Sequence, residues 1–185
     1  MTPLHFRLLP GIFCCCLLIG CTAILQSGSQ QAPDASFAGR STFRFLPDKS
    51  AATATSNYWR AEIGQDLLSA LNAKGYRFFP NRQKTDFLVA YHLVLADHEV
   101  LTGLDPDLAP GQTGGIDISK LQDPQHPGEA AKGAIFIDFI DPQQKKLIWR
   151  GWARTKFEQV QPGPAMQRSA KLAVDQILTK LPSRI

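Results

Sequence analysis

Residues 134–157 read AIFIDFIDPQQKKLIWRGWARTKF, and they give the strongest indication of the fold. Apolar residues dominate 134–140 and 147–157 in patterns typical of strands. Asp141-Pro142-Gln143 lies between the two runs and favours a turn. The stretch therefore predicts a β-hairpin with its loop centred on Gln144.

The position of the loop predicts which residues of the hairpin lie opposite each other. A one-residue slip would move every side chain to the other face, so the apolar pattern fixes the register. With the loop centred on Gln144, Phe139 lies opposite Trp149 and Ile135 opposite Ala153. We expect these pairs in the core, beneath the helices.

The opposite face of the same hairpin is aromatic and basic. Its predicted cross-strand pairs are Asp138 with Arg150, Phe136 with Trp152, and Ala134 with Arg154. One interpretation is a surface ion pair and an aromatic pair that shield the sheet. The other is a binding face that docks a protein, a glycan or a lipid headgroup. Its candidate residues are Phe136, Asp138, Arg150, Trp152 and Arg154.

The rest of the chain supplies further elements around this hairpin. Alternating patterns predict strands over 42–46 and 86–96, and amphipathic patterns predict a helix from Asn57 to Lys74-Gly75 and another from Pro164 to Pro182. We therefore expect a single α+β domain over 41–183. Its architecture would be a largely antiparallel sheet of four to five strands with two helices packed on one face. Residues 97–132, rich in proline and glycine, are predicted to form a long loop.

The first residues of the chain point to a targeting segment. An apolar run starting near Leu8 ends at Leu18-Ile19-Gly20-Cys21 and is too short for a membrane span, which needs roughly 20 residues. The motif resembles the lipobox of bacterial lipoprotein signal peptides. The resemblance implies that residues 1–20 are a signal peptide, that cleavage separates Gly20 from Cys21, and that Cys21 carries lipid. Ordinary secretory cleavage after Ala23 and a buried apolar start are the alternatives.

Lipidation of Cys21 would place the protein in the cell envelope. Thr22 follows Cys21, and the absence of Asp there favours the outer membrane, facing the periplasm. Residues 21–40 are small and polar, which predicts a flexible tether spanning roughly 25 Å. The membrane would then be one partner of the protein, reached through the lipid on Cys21.

Composition excludes several classes of site. Three of the four cysteines lie in the predicted signal peptide and the fourth is Cys21, so we expect no disulfide, zinc–thiolate site or catalytic thiol in the domain. The formal net charge is +4, which becomes +3 once Arg7 is removed with the signal peptide. This excess is too small to indicate nucleic-acid binding.

Several short motifs together resemble a known family. In chain order these are Asn57 with Ile63, Leu71-Asn72-Ala73-Lys74-Gly75-Tyr76, Asp86-Phe87-Leu88-Val89-Ala90-Tyr91-His92, Ile137-Asp138-Phe139-Ile140-Asp141 and Leu147-Ile148-Trp149-Arg150-Gly151-Trp152. They are similar to bacterial envelope lipoproteins of the domain-of-unknown-function family numbered 4136. Lys132-Gly133 stands where that family usually has Glu-Gly, so no role is assigned there. The resemblance covers roughly residues 37–182 and implies an α+β domain without a known activity.

Catalytic motifs are incomplete in this sequence. His98-Glu99 lacks the second histidine of a zinc metalloprotease helix, and residues 111–115 lack the Gly-Lys-Ser/Thr ending of a phosphate-binding loop. We therefore predict no catalytic residue, no metal and no cofactor. The sequence favours a non-catalytic binding or scaffolding module of the envelope. An envelope hydrolase or transferase with an unrecognised site is one alternative, and a subunit of an assembly or transport complex is another. The oligomeric state is left open.

Overall fold

The computed structural model of the chain describes residues 24–46, 54–81, 84–94, 134–155 and 163–184. These ranges form one sheet and two helices. In chain order the elements are β1 (Ile24–Gln31), β2 (Thr42–Phe45), α1 (Ala54–Ala73), β3 (Arg77–Phe78), β4 (Phe87–Val94), β5 (Ala134–Asp141), β6 (Lys146–Thr155) and α2 (Pro164–Leu178).

The sheet has six strands in the order β1-β6-β5-β4-β2-β3. Antiparallel pairing joins β1 to β6, β6 to β5 and β5 to β4, whereas β2 pairs in parallel with both β4 and β3. The prediction of four to five largely antiparallel strands is therefore corrected to six strands in a mixed sheet. The parallel pairs arise because α1 returns the chain from β2, and parallel neighbours need such a crossover. The class remains broadly α+β.

The N-terminal segment belongs to the domain. Residues 24–31 form β1, which pairs with β6 over its whole length, and Phe37 further on is buried in the core. The prediction of a flexible tether over 21–40 is therefore wrong for this strand. The segment is rich in serine and glutamine, so its own sequence carries no apolar alternation. Pairing with β6 stabilises the strand instead.

Both helices cover the same face of the sheet. Their buried residues belong to one core cluster with Phe87, Val89, Phe139 and Trp149 of the central strands. α1 begins at Ala54 rather than at Asn57, while the predicted C-terminal glycine, Gly75, has a φ of 82°. The buried residues of α2 are Met166, Ala170, Ala173, Val174, Ile177 and Leu178. No helix in the described ranges is long and apolar enough to cross a membrane.

The register of the β5–β6 hairpin is confirmed over most of its length. Phe139 lies opposite Trp149, Ile135 opposite Ala153, and the three outer pairs are also those predicted. The register shifts between Phe139 and Ile140, so that Ile140 lies opposite Leu147. The shift is an irregularity next to the turn that the alternation of the strands does not encode.

Several sequence predictions lie outside the described residues. These are the signal peptide over 1–20, the Gly20-Cys21 processing site, the loop over 97–132 and the ends of two predicted strands at 95–96 and 156–157.

Candidate functional site

The five predicted binding-face residues lie together on the face of the sheet opposite the helices. We call this face, formed by the even-numbered residues of β1, β5 and β6 and by their neighbours on β4, the outer sheet face. The strand register brings Asp138 beside Arg150, and Phe136 beside Trp152. Arg154 follows Trp152 on β6 and lies opposite Ala134. The five residues thus form one contiguous surface on the two adjacent strands β5 and β6.

Asp138 and Arg150 form a buried, bidentate ion pair. Nε of Arg150 donates to Oδ1 of Asp138 at 2.6 Å, and Nη2 donates to Oδ2 at 2.5 Å. Asp138 is 1% exposed and Arg150 is 3% exposed. The interpretation of this pair as a surface ion pair is therefore wrong. Strands β4 and β1 flank the hairpin on its two sides.

The pKa shifts of the two groups favour the charged form of each. Burial opposes ionisation of Asp138, but the hydrogen bonds and the charge of Arg150, with a smaller contribution from His92, lower its pKa below the ordinary value. Burial also opposes the charge on Arg150, and Asp138 outweighs it and raises the pKa of the guanidinium. Both carboxylate oxygens already accept hydrogen bonds from Arg150. Asp138 is therefore suited to a structural role and poorly suited to taking a proton from a substrate.

His92 joins this ion pair from strand β4. Its Nε2 lies 3.6 Å from Oδ2 of Asp138, and its own strand position is opposite Phe136. The sequence places His92 on a strand but does not connect it to Asp138. That connection depends on the β4–β5 register, which no short loop fixes because residues 95–133 separate the two strands.

The aromatic part of the face lies beside the ion pair. The guanidinium carbon of Arg150 lies 5.7 Å from the ring centre of Phe136, and that of Arg154 lies 5.9 Å from the ring centre of Trp152. Both distances fit cation–π contacts. Phe136, Trp152 and Arg154 are each partly exposed, so this part of the outer sheet face is open to contact.

A glycine of β1 makes room for Trp152. A Cβ atom on Gly28 would lie 2.6 Å from Cζ2 of the Trp152 indole. Real Cβ atoms do not approach a ring so closely, so any larger residue at Gly28 would move the indole. The neighbouring strand therefore determines where the Trp152 ring lies.

A second polar cluster lies at the turn of the β5–β6 hairpin. Oδ1 of Asp141 accepts hydrogen bonds from the backbone N–H groups of Gln143 and Gln144, and Oδ2 accepts one from Nη1 of Arg40 at 3.0 Å. Burial opposes ionisation, but these donors lower the pKa of Asp141. The crevice beside the cluster has a volume of about 40 Å³, which is room for a few water molecules but far less than a small-molecule site needs. The cluster therefore fastens the turn to the segment after β1.

Within the described ranges, no three His, Cys, Asp or Glu side chains lie close enough together to hold a metal ion.

The family model for the domain of unknown function DUF4136 matches residues 28–183. The chain belongs to the DUF4136 family. The match starts inside β1, so it includes the second half of the strand whose sequence resembles a tether. Among curated proteins, none has a sequence significantly similar to this chain.

Solved structures similar to this DUF4136 protein share low sequence identity with it. A DUF4136 family protein from Bacteroides thetaiotaomicron is 15% identical, with a TM-score of 0.48 over 86% of this chain and 96% of that one. The PelC dodecamer from Paraburkholderia phytofirmans is 12% identical, with a TM-score of 0.47 over 86% of this chain and 99% of that one. A PDZ domain protein from Parabacteroides distasonis is 15% identical, with a TM-score of 0.52 over 84% of this chain and 35% of that one. The last similarity supports a shared fold and extends to no function.

Proposed function

We propose that this protein is a non-catalytic, lipid-anchored binding protein of the bacterial envelope. In this proposal Cys21 carries the lipid, and the outer sheet face recognises a partner protein. The proposal is supported by the partly exposed cluster of Phe136, Trp152 and Arg154 beside the buried Asp138–Arg150 pair.

The buried ion pair favours binding over catalysis. The best-placed acid of the outer sheet face, Asp138, is held as a carboxylate with both oxygens bonded to Arg150. Such a group holds two strands in register and keeps Arg150 beside the Phe136 ring. A binding surface benefits from this rigidity, because less side-chain entropy is lost when a partner docks.

The composition of the exposed cluster favours a protein partner. Tryptophan and arginine are the residues that most often dominate the binding energy of protein interfaces, particularly where they are already held in place. Trp152 is positioned by the close approach of Gly28, and Arg154 lies against the Trp152 ring. A single aromatic anchor with a neighbouring guanidinium matches this type of interface.

The position of β1 changes how the anchor would hold the domain. β1 begins at Ile24, so three residues after Cys21 the chain is already part of the sheet. Three residues extend at most about 11 Å, much less than the roughly 25 Å of a free tether. A lipid on Cys21 would therefore hold the β1 end of the sheet next to the lipid headgroups, and the partner would be bound close to the membrane.

Labelling with radioactive palmitate tests the anchor. The wild-type protein should incorporate label and sediment with membranes, and Cys21→Ala should lose both properties. Cys21→Ala protein that retains the label would contradict lipidation at this residue.

Site-specific photo-crosslinking tests the binding face. Benzoylphenylalanine in place of Trp152 should give an adduct with a defined envelope protein in intact cells. The matched control is the same substitution at Leu172, which is 38% exposed on α2 and lies on the other side of the sheet. Adducts that are the same at both positions, or an adduct with the mass of a glycan or a lipid, would contradict the proposed protein partner.

A further inference from the structure

Strand β1 forms one edge of the sheet. Among the described residues it pairs only with β6. The outer side of an edge strand presents backbone N–H and C=O groups that can pair with another strand. β1 is eight residues long, so this edge is longer than the two-residue β3 at the other edge.

The hydrogen bonds of β1 show which backbone groups point outward. The N–H of Ala32 donates to the carbonyl oxygen of Ile148 at 2.9 Å. In an antiparallel pair, residues that bond to the partner alternate with residues that do not. Gly28 and Gln30 therefore bond toward β6, as Ala32 does. The backbone groups of Ser27, Ser29 and Gln31 point away from the sheet.

The usual features that protect an edge strand are mostly missing from β1. Its sequence, ILQSGSQQ, contains no charged residue and no proline, the two residue types that most often block pairing at an edge. A register shift lies between Ile24 and Gln26, at the start of the strand. Ser27, Ser29 and Gln31, whose backbone groups point outward, all lie in the regular part of the strand, from Gln26 to Gln31.

We propose that β1 pairs edge to edge with β1 of a second copy of this chain, in antiparallel orientation about Ser29. Ser29 then lies opposite Ser29 of the second copy, and Ser27 lies opposite Gln31. Each of these pairs exchanges two N–H···O bonds, so the backbone groups of all three outward-facing residues are satisfied. The two sheets become one continuous sheet.

The absence of charge on β1 favours a second copy as the occupant of this edge. Pairing of identical strands places identical or near-identical residues opposite each other, so a charged edge would repel itself. β1 carries no charge over its length and pairs with itself without this cost. The pairing is independent of the outer sheet face, because it uses backbone groups at the strand edge.

Charge-swap variants at Ser29 test the pairing. Ser29 is exposed, so lysine or glutamate at this position leaves the β1–β6 bonds in place. The experiment measures sedimentation equilibrium of the full chain in a mild detergent. Wild type should dimerise, Ser29→Lys alone and Ser29→Glu alone should each weaken the dimer by roughly fivefold, and an equimolar mixture should restore it. Matched Lys and Glu variants of Ser36, which is exposed after β1, should dimerise like wild type.

A proline pair separates loss of the dimer from loss of the fold. Ser29→Pro removes an outward N–H and should give a folded monomer, whereas Gln30→Pro removes an N–H bonded to β6 and should lower the melting temperature. A monomeric wild-type protein would overturn the proposal. Unchanged dimers in both Ser29 charge variants, or a mixture that fails to restore pairing, would also overturn it.

Discussion

Replacing Arg150 with methionine should be among the most destabilising single changes on the outer sheet face. Arg150 is 3% exposed, and its guanidinium makes both hydrogen bonds to the carboxylate of Asp138, which is 1% exposed. Removing one partner leaves a buried charge without compensation, which costs about 3–5 kcal/mol. A domain of this size is stable by about 5–15 kcal/mol, so Arg150→Met should lose a large part of the free energy of unfolding.

The double variant Asp138→Leu with Arg150→Met distinguishes the energetic effect of the ion pair from that of the packing around it. With both charges gone, no buried ion remains, and such replacements are often neutral or stabilising. We expect the double variant to be more stable than Arg150→Met alone. Urea unfolding, monitored by circular dichroism, gives the free energy of unfolding of the wild type, of Arg150→Met and of the double variant.

An exposed ion pair provides the matched control for these variants. Nζ of Lys171 lies 2.7 Å from Oδ2 of Asp175, and both side chains are largely in solvent. Lys171→Met makes a similar chemical change and should cost at most about 0.5 kcal/mol. If Arg150→Met cost no more than Lys171→Met, the Asp138–Arg150 pair would not be buried in the folded protein, and the structural role given to it would be refuted.

Two further predictions concern acid stability and the position of Trp152. The pKa values of Asp138 and Asp141 are lowered in the folded protein, so their contribution to stability is complete above the unfolded value near 4 and is lost as the pH falls through the folded values. Melting temperatures measured from pH 5 to pH 2 should therefore fall, and less steeply in Asp141→Asn; an equally steep fall would count against this linkage. Gly28→Val should displace the Trp152 indole and destabilise the domain by about 1–3 kcal/mol, detected as changed tryptophan fluorescence and a lower melting temperature, whereas Gly163→Ala, with open space around its Cβ position, should leave the tryptophan fluorescence unchanged.

The sequence predicts the β5–β6 hairpin well because two signals agree there. Apolar alternation defines the faces of both strands, and a short loop limits the register to one choice. Phe139 therefore lies opposite Trp149 and Asp138 opposite Arg150, as predicted. The register shift next to the turn is a local irregularity, and neither signal contains it.

The two edge strands were missed for different physical reasons. β3 has two residues, too few for any period to show. β1 is polar, and pairing with β6 holds it in the sheet, so the information that makes it a strand lies more than a hundred residues away in the chain. Local composition alone favours a tether for such a segment.

The burial of the Asp138–Arg150 pair could not be predicted from the hairpin alone. In an isolated hairpin, this face would be open to water, and the ion pair would be a surface pair. In the complete sheet, β4 lies beside β5 and β1 beside β6, so that Ala90 is paired with Asp138 and Gln30 with Arg150. The exposure of the candidate site is therefore a property of the strand order, which requires tertiary structure.

The place of β1 in the sheet is central to both the short anchor and the pairing of two copies. Amide hydrogen exchange, measured residue by residue, tests it most directly. The N–H groups of Gly28, Gln30 and Ala32 point toward β6 and should exchange slowly, because they open only when the strand leaves the sheet. Exchange of these three amides at the rate of an unstructured peptide, while β4 and β5 stay protected, would show that the segment is a tether and would contradict the account.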